Sequence, residues 1–495
     1  MEAIRALLGL PAARTPPPKV GTDDIYPVHV LDDTKTLRGI VVTWTLRFDD
    51  VLDPGKLHKS LLQLLAMGDW RKIGGRLRMK ADGGLEIHVP QAFTEERPAI
   101  GYSQESLDMD IADHPLGKTL PRVTEGPSVQ PGPQNFRYFA ARQDAPATLD
   151  DFILSDVPQL SLHITSFRDA TIIGLSWPHL LMDVMGQQAL LRGWSMVLAG
   201  CESDVPPVLG AREDEIRAAQ SGDAAREEFK LKEKVMGAWG LIKFGIQFTS
   251  DMMRNPAVET RTIFLPKKAV ATLRQQAEKD LSTSGGDKPP FVSDGDILTA
   301  WAARAVASSL PQPRPVTVLH ALNLRFRLPS LIEAPGVFIQ NMAIAAYTFL
   351  SADCARGPLG QIALENRRHL SEQTTEGQVL AFMHELLPDS KPGGDPRVLC
   401  GDPNAVLLPF TNWGRADIFK AADFSPAIVE SAIAPSRSSP PGTITYHHAD
   451  SMSMASTVRS VVVVLGKDHD GNYWITGTQL TPLTWTKIEE DIAEL

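Results

Sequence analysis

From Thr171 to Gly200 the chain changes its hydrophobic period once. Ile173, Leu175 and Trp177 alternate with other positions, the period of two that marks a half-buried strand. Pro178 ends it, having no amide hydrogen for a ladder. Leu190, Leu191, Trp194, Val197 and Leu198 then recur at helical spacing, and Gly200 offers a stop. The same two periods recur elsewhere. Ile40, Val42, Trp44, Leu46 and Phe48 predict a strand, and Leu57, Leu61, Leu64 and Leu65 a helix face. Ser161–Phe167 predicts a partner for the strand from Thr171. In the second half, Arg261–Leu265 predicts a strand and Ala269–Ala277 a helix. Ser293 can cap a helix over Asp294–Val306, since its hydroxyl can accept an otherwise unpaired amide hydrogen. Val461–Leu465 and Tyr473–Leu480, around Asp470-Gly471, predict a hairpin.

The connections are polar or rich in Pro and Gly. Residues 121–135 and 281–290 read as loops. From Cys201 to about Lys230 the chain turns charged and Ala-rich, which suggests a crossover between two units. The pattern therefore predicts an α/β protein with domains at 1–200 and 231–495, a linker at 201–230, and a cleft between two mixed-sheet sandwiches. A chain of 495 residues is long enough for two cores. Residues 235–253 (VMGAWGLIKFGIQFTSDMM) stand out as apolar with few charges. A membrane-surface helix would carry a basic face, and Lys243 stands nearly alone, so the expectation is a segment packed on the junction or lining a pocket.

A formal charge of −10 argues against a nucleic-acid surface. The three cysteines, Cys201, Cys354 and Cys400, are widely spaced with no C-x-x-C or similar pattern, so they suggest neither a zinc site nor a disulfide framework, which fits a reducing compartment. No run approaches the ~20 apolar residues of a membrane span. Neither terminus carries a recognisable targeting signal, so a cytoplasmic protein is expected.

Candidate chemistry starts at the break after Trp177, where His179 and Asp183 form an H-x-x-x-D arrangement. With 12 histidines in the chain, chance alone supplies about one such match, and His29/Asp33 is a second. Setting carries more weight than spacing here: the imidazole sits where a strand ends and a helix begins.

Six stretches in order resemble the BAHD acyltransferase family over nearly the whole chain. YPVHVLDD (26–33) resembles the family's opening strand, and WRKIGGRL (70–77) its P-x-x-A-G-R-L. WPHLLMDVMG resembles the catalytic H-x-x-x-D-G. ALNLRFRLPS followed by GVFIQN resembles D-x-R-x-R and the G-Y-F-G-N after it. FTNWGRADIFKAADFS (410–425) resembles T-S-W followed by D-F-G-W-G, and KDHDGNYWI the late hairpin. Val184 replaces the glycine after the motif Asp, and D-F-G-W-G is worn down to Asp423-Phe424-Ser425-Pro426-Ala427. Both departures are similar to the divergent fungal branch that acylates toxins and other secondary metabolites.

The resemblance implies two chloramphenicol-acetyltransferase-like domains with the active-site channel between them, and a monomer. It implies transfer of an acyl group, acetyl first, from acyl-CoA to a hydroxyl or amine of a small molecule, with no metal and no permanently bound cofactor. His179 would be the general base, since a neutral imidazole suits proton removal near pH 7. Thr411, Asn412 and Trp413 would donate hydrogen bonds to the carbonyl oxygen as charge develops on it. The resemblance gives Asp183 a structural role, paired with an arginine; helical geometry over 179–183 would instead let it orient the imidazole. Asp423 would pair with Arg325 or Arg327. Ser293 aligns with a helix start near the coenzyme, Lys267-Lys268 could approach its phosphates, and His447-His448 belong either to a loop or to the acceptor pocket. Two other readings remain: a relative that binds ligand without turnover, and a peptide-synthetase condensation domain. The second needs H-H-x-x-x-D-G, where this chain has Pro178 and Val184.

Overall fold

Thr171–Pro178 is the middle strand of a five-stranded sheet. Val41–Phe48 and Ser161–Ser166 pair antiparallel on its two sides, and Tyr446–Ser451 and Gly101–Ser106 complete the edges. The computed structural model describes residues 14–220, 227–282, 290–387, 392–396, 399–431, 439–453 and 457–495. All eight residues of the middle strand are buried, where the alternation predicted only one face to be. Its non-hydrophobic positions are small: a Cβ on Gly174 would lie 2.3 Å from the Ala140 carbonyl, so the turn Arg137–Ala140 crosses directly over the strand. Helices Pro54–Leu65 and Val184–Leu198 pack together in this core, where the Trp194 indole donates to the Leu57 carbonyl and the Ser60 hydroxyl.

The second sheet has seven strands in the order Ala343–Leu350, Val316–Asn323, Val406–Asn412, Val461–Lys467, Tyr473–Leu480, Glu259–Leu265 and Ser128–Pro131. The pairs 316–323/406–412 and 406–412/461–467 run parallel and the rest antiparallel. Helices Lys267–Ser282, Asp294–Ser308, Leu359–Gln373 and Pro482–Ala493 share its core. The predicted hairpin is present, with Gly471 at φ +85° in its turn.

Each half lends the other a strand. Ser128–Pro131, from the first half, is an edge strand of the second sheet, and Tyr446–Ser451, from the second half, is an edge strand of the first. The boundaries 1–200 and 231–495 thus describe chain order rather than sheet membership. This also corrects the loop expected over 121–135. Pro131 is tolerated because it ends a strand at a sheet edge. The crossover is not detached either, since Leu209 donates its amide to the Val337 carbonyl at 2.8 Å. Most of the loop expected over 281–290 lies outside the described residues.

Residues 235–253 do not pack on the junction as expected. They form most of the helix Ala238–Arg254, in which no residue is buried. The shortage of charge reflects an apolar face turned outward.

Candidate active site

His179 follows the middle strand by one residue, and its amide donates to the Ile40 carbonyl at 3.0 Å, extending the ladder one step beyond Pro178. The residue is half-buried. Its Nδ1 is buried without a hydrogen-bond partner among the described residues. Desolvation lowers the imidazole pKa below its ordinary value; its own backbone carbonyl, Asp183, Asn341 and Asp32 oppose that shift. The ring is therefore neutral at pH 7, the form that can accept a proton.

Residues 179–183 are not helical, and Asp183 is the N-cap of Val184–Leu198. One carboxylate oxygen accepts the amides of Met185 and Gly186 at 3.0 and 3.1 Å, and the other accepts that of Met342 at 3.1 Å. Arg325 binds both oxygens, at 2.8 and 3.0 Å. The same guanidinium donates to the carbonyls of Phe338 and Gln340. Asp183 is thus committed to tying the helix start to the loop 336–342, the paired role the resemblance implied. The contact is tight. A Cβ on Gly186 would lie 2.2 Å from the Ile339 carbonyl oxygen, which explains a glycine two positions beyond the family's usual place.

Asn341, quoted in the sequence only as part of a motif, turns out to hold the backbone of His179. Its side-chain amide donates to the His179 carbonyl at 2.8 Å, and its backbone and side-chain N–H groups both reach Asp32 Oδ1 at 2.7 Å. Asp32 is buried, which raises its carboxyl to about 6 against the opposing pull of Lys72 and Asn341. Lys72, equally buried, has its pKa lowered by desolvation. Asp32 and Lys72 belong to the YPVHVLDD and WRKIGGRL stretches. Only the fold reveals that these two stretches support the histidine.

Thr411 and Asn412 end the strand Val406–Asn412, and the Trp413 amide donates to the Val464 carbonyl at 2.9 Å. The Trp413 ring lies 4.9 Å from Trp44, which stacks on Trp177 at 6.2 Å. An aromatic wall therefore runs from Trp413 to the residue two before His179. A second tie comes from Gln188, in the helix after the motif, whose amide donates to the Ala416 carbonyl at 2.8 Å. Asn412 Oδ1 accepts the Gly414 amide, leaving its NH2 group beside Gly295.

His447 and His448 are not loop residues: they lie within the strand Tyr446–Ser451 and are fully buried, which pushes both pKa values down to about 3. His447 Nδ1 accepts from the Trp44 indole at 3.3 Å, behind the aromatic wall. Ser293 caps the helix Asp294–Ser308 in a capping box, its hydroxyl donating to Asp296 at 2.6 Å. The start of that helix adjoins Asn412, but it already carries Asp294 and Asp296. Lys267 and Lys268 are exposed at the start of their helix.

Asp423 corrects an expectation. It is exposed and bonds to neither Arg325 nor Arg327; its carboxylate accepts the Ser425 amide at 3.0 Å and its amide donates to the Ser195 hydroxyl at 2.9 Å. The arginine that was to hold Asp423 holds Asp183 instead.

No family model matches the chain. The chain is 37% identical over 491 residues to O-acetyltransferase PaAT-2 of Phomopsis amygdali, covering 96% of this chain and 99% of that one. It is 35% identical to acetyltransferase pyiB of Pyricularia grisea, over 96% and 94% of the two chains. The structure of F. sporotrichioides TRI101, solved with coenzyme A and T-2, superposes with a TM-score of 0.62 at 17% identity, over 94% and 97% of the chains. That likeness gives this chain the two-domain mixed-sheet fold. With such identity to fungal acetyltransferases along almost its full length, the chain belongs to the BAHD-type acyltransferase family.

Proposed function

We propose that this acyltransferase moves an acetyl group from acetyl-CoA to a hydroxyl of a small, secondary-metabolite acceptor, with His179 as general base. The observation that carries the reading is the neutral, half-buried imidazole at the strand–helix junction, held through its backbone by Asn341. With Nδ1 buried, Nε2 is the nitrogen that takes the acceptor's hydroxyl proton. The acceptor oxygen attacks the thioester carbonyl, the C–S bond breaks, and the proton passes to the departing thiolate. No side-chain nucleophile is needed, because the thioester is already activated. Thr411, Asn412 and Trp413 supply donors to the developing oxyanion. Asp183 and Asp423 serve shape rather than chemistry.

The names O-acetyltransferase and acetyltransferase among the relatives support oxygen as the acceptor atom and acetyl as the group. TRI101, bound to coenzyme A and T-2, supports acetyl-CoA as a co-substrate rather than a resident cofactor, and a small-molecule acceptor. Three free cysteines support a cytoplasmic protein, and we take it to be a monomer. Ser293, as a helix cap beside Asn412, would contribute to the coenzyme site through the shape of that helix start.

Thiol release from acetyl-CoA, with products read by mass spectrometry, tests the reading. His179→Ala should fold and bind coenzyme A yet lose about 10²–10⁴-fold in turnover. Trp413→Phe, which deletes one N–H and keeps most of the bulk, should lose ~10²–10³-fold in kcat. Near-normal turnover in a folded His179→Ala variant would exclude His179 as the base.

A further inference from the structure

The helix Ala238–Arg254 takes part in none of this chemistry. It docks by one side only, where Asp251 accepts from Arg314 at 2.7 Å and the half-buried Phe244 and Phe248 stack at 5.9 Å. Its other side is apolar and open. Trp239, Ile242, Ile246 and Met253 are 83, 51, 68 and 78% exposed. They stand at i, i+3, i+7 and i+14, a single stripe on a helix of 3.6 residues per turn. On the same wheel Lys243 and Arg254, both exposed, fall along one border of the stripe. That border is basic on a chain whose net charge is −10. Among the described residues no helix is long and apolar enough to cross a membrane.

We propose that this helix lies on an anionic lipid bilayer, its stripe sunk to the acyl boundary and its basic border against the lipid phosphates. Charge selects this occupant. A bilayer bearing acidic headgroups complements the basic border, whereas a second copy across a two-fold axis would set one basic border near another. The placement also leaves the chemistry accessible. Asn255, just after the helix, and Met236, just before it, are tied near residues 399–404 and 459, at the start of the strands 406–412 and 461–467. The ties are the Met236 amide on the Leu399 carbonyl and Arg459 on the Asn255 carbonyl. Thr411–Trp413 lie at the far end of the strand 406–412, roughly 20 Å away at the rise of extended chain.

Flotation of the full-length protein with vesicles tests this. Wild type should float with phosphatidylcholine vesicles containing about one third phosphatidylserine, and much less with phosphatidylcholine alone or at high salt. Lys243→Glu with Arg254→Glu should weaken binding by at least about five-fold per position, and Ile242→Asp with Ile246→Asp should abolish it. All four residues are exposed, so melting temperature and turnover in vesicle-free buffer should match wild type in both variants. Binding that is equal in wild type and variants, or absent from both vesicles, would overturn the proposal. So would a dimer in sedimentation velocity that Ile242→Asp with Ile246→Asp dissociates while wild type ignores the vesicles.

Discussion

A carboxylate four residues from a histidine invites a relay reading, and the hydrogen bonds of Asp183 count against it. Both oxygens are occupied by Arg325 and three backbone amides. The pair is largely buried, with side chains 8% and 13% exposed. Asp183→Ala should therefore cost ~3–5 kcal/mol, because it strands a buried guanidinium and uncaps a helix. Asp423→Ala removes only an exposed acceptor and should stay within about 1 kcal/mol of wild type, with turnover nearly intact. Thermal melts of the two variants separate the roles, and a large loss for Asp423→Ala would reverse the assignment. For His179, the sign of the pH effect follows from its lowered pKa. The proposed base acts in its neutral form, so kcat should rise with pH on an acid limb below the ordinary histidine value of ~6.5 and be flat by neutrality. A limb centred above that value would mean the titrating group is not this imidazole.

Elements with one clean period and a local cap were legible before the fold was known. The helix Asp294–Ser308 is one, with its Ser293 cap, and the hairpin 461–480 another. The local information was complete there: serine at the boundary, glycine in the turn. Ser128–Pro131 was hidden because an edge strand tolerates the Pro and Gly that signal a loop. The support of His179 was hidden for another reason. Asn341 and Asp32 meet across 309 positions, and no periodicity carries a contact of that range. His447 and His448 were misread because paired histidines look polar, while their strand is buried. Ser293 gives the test at this scale. Its hydroxyl both donates to and accepts from Asp296, so Ser293→Ala should cost about 0.5–2 kcal/mol and leave turnover nearly unchanged. A raised KM for acetyl-CoA at wild-type stability would instead make the hydroxyl a coenzyme ligand.

The two halves share strands across their sheets, although the crossover makes them look separate in sequence. Val41–Phe48 is a buried strand whose outer ladder is filled by Tyr446–Ser451, more than 390 positions later by register. Ile418, Phe419, Phe424, Ile444 and Tyr446 are all core residues of the first half's hydrophobic cluster. Without them Phe48 and Trp194 would each lose a ring contact and face water. In return the second half takes Ser128–Pro131 to cover its edge strand Glu259–Leu265. Each half supplies what closes the other's core, and it is chiefly the burial of apolar surface that holds either together. A cut within residues 221–226 should therefore leave a tight two-chain complex. Residues 1–220 expressed alone should lack a cooperative melt and native near-ultraviolet dichroism, and co-expression with 227–495 should restore both, along with turnover. A sharp melt from 1–220 alone would show that the borrowed strand is an accessory rather than part of the core.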